Sequence, residues 1–175
     1  MLHSIGPLCR ALGVVKDRTL KVFDEIFGEM EFNNVWESDL SISLFGKDVT
    51  TKVSVGTCKD IPFTLSQKRS FMDFMNNIAK INAEVISALF TFYTENLEDF
   101  REYIEEDDWE IQAPSINSES ELCDLVQLEN IDICDTKDNS KRVIYYFATK
   151  FEDELGVSVI IVNGKVDKVV TDVAY

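Results

Sequence analysis

The sequence contains a single histidine, His3, which lies close to the start of the chain. Nucleophilic catalysis by serine or cysteine normally needs a neighbouring base, which is most often histidine. Glycine is also scarce, with seven in 175 residues, and no glycine-rich phosphate-binding loop occurs. Because neither a nucleophile–base pair nor a phosphate loop is visible, we expect that the protein is not an enzyme.

Metal-binding motifs are absent from the sequence as well. The four cysteines lie at wide and irregular spacings, as Cys9, Cys58, Cys123 and Cys134. A structural zinc site requires four well-placed Cys or His ligands, and no C-x-x-C pair is present. Asp132, Asp135 and Asp138 recur every three residues, but an EF-type calcium loop needs oxygens at alternate positions and a glycine at the sixth. We therefore predict no metal, no cofactor, and reduced thiols.

No apolar run approaches the roughly 18 residues that a membrane-spanning helix requires. The segment 1–15 is apolar, but Arg10 interrupts it and no small-residue cleavage site follows, which argues against a signal peptide. Hydrophobic residues make up 45% of the chain and twelve are phenylalanine, so a folded core is expected. We predict a cytoplasmic protein with a leader at residues 1–19 and a single domain at residues 20–175.

Basic residues are nearly missing from one quarter of the chain. Residues 95–138, here called the acidic block, carry sixteen Asp and Glu side chains against only Arg101 and Lys137. The remainder is almost neutral, so the net charge of -15 is a local property. Such a charge repels nucleic acid and anionic membrane surfaces, and it favours a basic protein partner.

Alternating apolar and polar residues predict strands in the first third of the chain. These are residues 27–32 and a hairpin formed by residues 40–44 and 49–55. The period then changes to that of a helix. Thr64 and Gln67 have the spacing of a capping box, and apolar residues at steps of three and four predict a helix over residues 65–93. This helix is either a straight central element or bends near Asn82.

A second, shorter helix is predicted after Asn96, with Leu97, Phe100, Tyr103 and Ile104 on one apolar face. Four consecutive carboxylates at residues 105–108 oppose the helix macrodipole, which favours cations at a C-terminus. The helix is therefore expected to fray or end near this point.

The last third of the chain returns to β-structure. Residues 125–133 indicate an acidic, edge-like strand, residues 143–148 an apolar strand, and residues 157–162 and 165–170 a hairpin. Asn163-Gly164 between the last two predicts a type I′ turn, because both residues tolerate positive φ. The predicted fold class is α+β: an antiparallel sheet from N-terminal and C-terminal hairpins, packed on one long central helix plus a shorter acidic helix.

Two groups of short motifs resemble a known family. The first is Phe27-Gly28-Glu29-Met30, Trp36, Leu44-Phe45-Gly46-Lys47 and Gln67; the second is residues 151–157, Asn163-Gly164-Lys165-Val166 and Asp172. Together, over residues 20–174, they resemble an uncharacterised family of small acidic bacterial proteins, a domain of unknown function often found near polymorphic toxin and immunity genes. The resemblance implies no catalytic residue. The leader and the extra acidic length depart from the family pattern.

The acidic block alternates with apolar and aromatic residues, unlike a purely solvating tail. We therefore predict a protein-binding surface made of Glu102, Glu105, Glu106, Asp107, Asp108 and Trp109, with Asp132 and Asp135 as its rim. The favoured function is an immunity protein that neutralises a basic toxin domain, such as a nuclease. The alternatives are a carboxylate-dependent hydrolase or metal-binding enzyme, a scaffold domain that dimerises, and a merely solvated acidic loop.

Overall fold

The computed structural model describes residues 20–56, 63–136 and 140–171. Several sequence-based expectations concern residues outside these ranges. They are the leader 1–19 with His3 and Cys9, Cys58, the turn residues 137–139 and Asp172.

In the described ranges, alternation of apolar and polar residues produces eight strands, which form one sheet in chain order. The strands are β1 (Leu20–Asp24), β2 (Gly28–Asn33), β3 (Val35–Leu44), β4 (Lys47–Val55), β5 (Val126–Ile133), β6 (Arg142–Thr149), β7 (Val157–Val162) and β8 (Lys165–Val170). Every neighbouring pair is antiparallel except β4 and β5. The predicted α+β class and its hairpins are confirmed.

The turn between β7 and β8 has the predicted conformation. Asn163 has φ 52° and Gly164 has φ 76°, which is the pair of positive angles that a type I′ turn requires. The strand β1 was not predicted. It lies at the edge of the sheet, and its Phe23 is 77% exposed, so its sequence lacks a clear alternation between a buried and a solvated face.

The long helix α1 (Leu65–Glu95) begins at the predicted capping box. The backbone N–H of Gln67 donates to Thr64 Oγ1 at 3.1 Å, and the backbone N–H of Thr64 donates to Gln67 Oε1 at 2.9 Å. The Gln67 amide also donates to the carbonyl oxygen of Gly56 at 3.0 Å, which ties the start of the helix to the end of β4. The helix continues without interruption through Asn82.

The helix α1 covers one face of the sheet with its apolar side. Its buried residues include Phe74, Ile81, Val85, Leu89 and Tyr93. They form one core with apolar residues of the strands, and the rings of Phe74 and Tyr145 meet edge to face at 6.0 Å between centroids. The predicted central helix against a sheet is therefore confirmed.

The edge-like position predicted for residues 125–133 is wrong. The strand β5 lies between β4 and β6, in the middle of the sheet. It is parallel to β4, with Val53 opposite Ile131 and Val55 opposite Ile133. Parallel neighbours need a long crossover connection, and α1 together with the acidic segment after it provides that connection. The acidic residues of β5 therefore did not indicate that this strand lies at an exposed edge of the sheet.

The second helix is shorter than its apolar pattern suggests. The helix α2 (Leu97–Arg101) ends before the run of carboxylates, as the macrodipole argument predicts. A 3-10 turn at Glu106–Asp108 and one helical turn, α3 (Trp109–Gln112), follow. Because the helix stops at Arg101, Tyr103 leaves the predicted apolar face and is 90% exposed.

Candidate functional site

The predicted binding residues fall into two groups in the structure. Glu102, the run Glu105–Asp108 and Trp109 follow the C-terminal end of α1 and α2. Asp135 instead lies at the opposite end of α1, where Thr64 Oγ1 donates to its carboxylate at 3.0 Å. Because α1 spans 31 residues, or about 46 Å, the two groups do not form one surface. The predicted rim of Asp132 and Asp135 is therefore separate from the other six residues.

Asp132 lies on the sheet face that points away from α1. It is paired with Ile144 of β6, whose neighbour Tyr145 faces the helix, and successive side chains of a strand point to opposite faces. The Ser54 hydroxyl donates to Asp132 Oδ1 at 3.2 Å, and the Cys134 thiol lies 3.7 Å from Oδ2. Burial raises the pKa of the Asp132 carboxyl, and burial next to this carboxylate raises the pKa of Cys134 to about 12.

The raised pKa of Asp132 predicts a specific pH dependence of stability. Between the ordinary value of 3.8 and the raised value, the folded protein binds more protons at this site than the unfolded chain does. The protonated Asp132 side chain therefore makes its full contribution to the free energy of unfolding below about pH 4. That contribution is lost as the pH rises through the pKa of Asp132 in the folded protein. We expect Asp132→Asn to flatten this decline, measured by urea unfolding at pH 4, 5, 6 and 7. Parallel pH profiles for both proteins would contradict the assignment.

Trp109 is engaged within the chain. Its indole Nε1 donates to the carbonyl oxygen of Ile104 at 3.0 Å, and the Arg101 guanidinium lies 5.1 Å from the ring centroid. Arg101 Nε donates to the carbonyl oxygen of Ala113 at 3.0 Å, and Nη2 donates to Ser115 Oγ at 3.1 Å. Arg101, at the end of α2, therefore holds residues 109–115 close to α2. In this geometry Trp109 is held by contacts within the chain, whereas the Tyr103 side chain is exposed.

A cavity of about 920 Å³ opens beside this segment. We call it the acidic groove. Its floor contains Phe92, Phe100 and Phe151, and the Phe100 and Phe151 ring centroids lie 4.7 Å apart. The exposed side chains of Tyr103 and Leu155 line its sides. An aromatic floor with exposed apolar walls is suited to an apolar side chain of a partner.

Carboxylates from two distant parts of the sequence converge on this groove. Asp99 comes from α2, whereas Glu152, Asp153 and Glu154 come from the connection between β6 and β7. Among the described residues of the lining, Lys150 alone adds a positive charge. The turn is fixed by Thr149, whose hydroxyl donates to the carbonyl oxygen of Glu152 at 2.9 Å. The groove therefore combines an apolar floor with an acidic wall.

Sequence reasoning missed most of the groove. Nothing local in the sequence places residues 152–154 near α2. Tyr103 was assigned to a buried helix face. The run Glu105–Asp108 does not line the groove, although Tyr103 and Ile104 lie just before it in the chain. The one available signal was the acidic triplet itself, since three of the five acidic residues in residues 139–175 are consecutive there.

Two further findings concern the described part of the chain. No helix there is both long enough and apolar enough to cross a membrane. Within the same ranges, no three His, Cys, Asp or Glu side chains are arranged to hold a metal ion.

Residues 26–172 match the model of a family described as a domain of unknown function, DUF6985. Because the match spans most of the chain, the chain belongs to this family. Neither a curated protein nor a solved structure matches it. The resemblance to a domain of unknown function is thus confirmed, and the groove is the main structural indication of function.

Proposed function

We propose that this member of the DUF6985 family is a protein-binding module, and that it acts in the cytoplasm as an immunity protein. Its partner is a basic toxin domain, for example a nuclease. The protein neutralises the toxin by covering its cationic substrate site, without catalysis of its own. The resemblance to families near toxin and immunity genes supports the biological role.

The observation that carries the proposal is the acidic groove. Asp99 and residues 152–154, more than fifty positions apart in sequence, surround an aromatic floor. Tyr103 is 90% exposed and Leu155 is 63% exposed beside them. Exposed apolar side chains next to carboxylates are typical of a binding hot spot with a charged rim. A partner segment with an apolar residue between Lys or Arg residues complements both parts.

The charge distribution also suits rapid association. The net charge of -15 attracts a cationic surface over a distance of about a Debye length, which is ~10 Å at 0.1 M salt. Such steering raises association rates by about 10 to 10³ fold and weakens as salt is added. The run Glu105–Asp108 contributes to this long-range attraction even though it does not line the groove.

The test uses the basic domain encoded by the adjacent upstream gene. We expect its expression alone to arrest growth and its co-expression with this chain to restore growth. Association of the purified proteins is then followed by stopped-flow fluorescence at 50 and 500 mM salt. In the groove variant Asp99, Glu152, Asp153 and Glu154 become Asn or Gln. We expect its association rate to fall about tenfold or more at low salt, with a much smaller difference at high salt.

Two matched variants separate the groove from net charge. A segment variant changes Glu105, Glu106, Asp107 and Asp108 in the same way, and we expect it to slow association less than the groove variant. A control changes Glu29, Glu31, Glu37 and Asp39 of β2 and β3, which removes the same number of charges elsewhere. Equal rates for the groove variant and the control would contradict the groove as the binding site. An upstream gene without a basic toxin domain would contradict the immunity role.

A further inference from the structure

A small cavity of about 200 Å³ lies between the first half of α1 and the β7–β8 turn. We call it the lysine pocket. Its polar lining comes from α1, the residue before β6, the β7–β8 turn and the start of β8, and consists of Ser70, Asp73, Asn77, Lys80, Lys141, Asn163 and Lys165. The acidic groove is lined by later residues of α1, from Phe92 onward, so the two cavities are distinct.

The charge of the lysine pocket is opposite to that of the protein. Three of its lining residues are lysines and one is acidic, in a chain with 17 basic and 32 acidic residues. Lys141 forms an ion pair with Asp73, and Lys80 lies 3.7 Å from Glu84, which is outside the lining. Lys165 has no ion pair among those found in the described residues. The lining therefore keeps a surplus of positive charge.

Ser70 provides an independent indication of a ligand. Its side chain is 1% exposed, and its Oγ has no hydrogen-bond partner within the described structure. Buried hydroxyl groups almost always have a partner, because an unpaired one loses its hydrogen bonds to water. Ser70 lines the pocket, as does Asn77. Less than 1 Å² of the Ser70 Oγ is accessible, so a bound group with acceptor oxygens would satisfy the hydroxyl once the side chain turns toward the cavity.

The size of the pocket restricts the ligand. Pockets for drug-sized molecules hold about 300–1,000 Å³, and this one is smaller. Lysines, a hydroxyl and an amide are all able to donate hydrogen bonds, and a phosphate group presents several charged acceptor oxygens in a small volume. We propose that the lysine pocket binds a small phosphate-bearing anion.

The proposal is tested by thermal unfolding of the full chain in the presence of phosphate. Inorganic phosphate is added at constant ionic strength, with sodium chloride as the balancing salt. A ligand that binds only the folded state raises the midpoint temperature, and the increase follows its concentration relative to the dissociation constant. We expect a saturable rise with phosphate and none with chloride alone. A small phosphomonoester that acts at lower concentration would identify an organic phosphate as the ligand.

Three variants distinguish a binding site from a general charge effect. We expect Lys165→Ala to lose most of the phosphate-dependent rise. Lys168→Ala is the matched control, because it removes the same charge from the same strand but lies outside the pocket lining, and we expect it to keep the rise. We expect Ser70→Ala to unfold at or above the wild-type temperature without phosphate and to lose most of the rise with it.

Several results would overturn the proposal. They are a rise that does not saturate, an equal rise with acetate or chloride, and a full phosphate-dependent rise in both Lys165→Ala and Ser70→Ala. Because Lys165 is exposed at the start of β8, its replacement tests the pocket even if Ser70→Ala does not fold.

Discussion

Replacing Gly156 with alanine is expected to lower the free energy of unfolding by about 3 kcal/mol or more. Gly156 has φ +65°, a conformation that costs roughly 1–2 kcal/mol for a residue with a Cβ atom. A Cβ atom at this position would also lie 2.4 Å from the carbonyl oxygen of Phe147, which belongs to the backbone of β6. Because a strand backbone in the sheet has little freedom to move, this overlap adds about 1–3 kcal/mol. Urea unfolding measures the loss.

Gly164→Ala is the matched control for this prediction. Gly164 has φ +76°, but a Cβ atom there would have no neighbour within 4 Å. Its replacement therefore introduces only the conformational strain, and we expect a loss of about 1 kcal/mol. If the two variants were destabilised equally, close approach to Phe147 would not be the cause.

Asn82→Ala is expected to lower the free energy of unfolding by about 3 kcal/mol. The Asn82 side chain is 4% exposed at the middle of α1. Its Nδ2 donates to the carbonyl oxygen of Ser43 on β3 at 2.7 Å, and its Oδ1 accepts from the Tyr145 hydroxyl on β6 at 2.6 Å. Truncation leaves the buried Tyr145 hydroxyl without this partner and also removes the part-buried bond to Ser43, and each loss costs about 1–3 kcal/mol. Denaturant unfolding at neutral pH measures the change.

A double-mutant cycle isolates the contact between Asn82 and Tyr145. We expect Tyr145→Phe to be destabilised by about 1–2 kcal/mol, and the double variant to be destabilised by about 1 kcal/mol less than the sum. Asn77→Ala, on an exposed position of the same helix, serves as the control and is expected to change stability by less than about 0.5 kcal/mol. Additive effects in the cycle would contradict the hydrogen bond.

Much of the fold could be predicted because the signals for it are local. The capping box of Thr64 and Gln67, and the Asn163-Gly164 turn, each depend on residues within a few positions of one another. The helix α1 follows from a long apolar stripe. The macrodipole argument correctly predicted that α2 does not continue past residues 105–108, although the helix already ends at Arg101.

The position of β5 could not be predicted in the same way. Its sequence mixes apolar residues with polar ones, two of them acidic, which is typical of a strand with one solvated face. In the structure that polar face carries Asp132 and Asn130 into hydrogen bonds with Ser54 of β4. Ser54 and Asp132 lie 78 positions apart, so no local sequence pattern predicts the hydrogen bond between them. The sequence therefore predicted Asp132 as part of the rim of a binding surface, whereas its carboxylate is partly buried against Ser54.

The candidate site shows the same division between local and distant information. The acidic block correctly drew attention to the segment after α1. It also predicted Trp109 as a binding residue, but the Trp109 indole donates a hydrogen bond to the carbonyl oxygen of Ile104 and contacts the Arg101 guanidinium. The acidic groove forms where α2 lies close to the connection between β6 and β7. These two parts are far apart in sequence, and the crossover through α1 brings them together. Only the three-dimensional arrangement therefore indicates residues 152–154 as candidate binding residues.

The parallel pairing of β4 with β5 has a consequence for how the chain folds. Strands β1–β4 and strands β5–β8 each form a meander of neighbouring hairpins, whose contacts are close in sequence. Their junction instead closes a loop of about seventy residues, and the entropy lost grows with the logarithm of that length. Folding rates fall as contacts become less local. We therefore expect docking of the two meanders to limit the rate, and the core between α1 and both meanders to form only after that step.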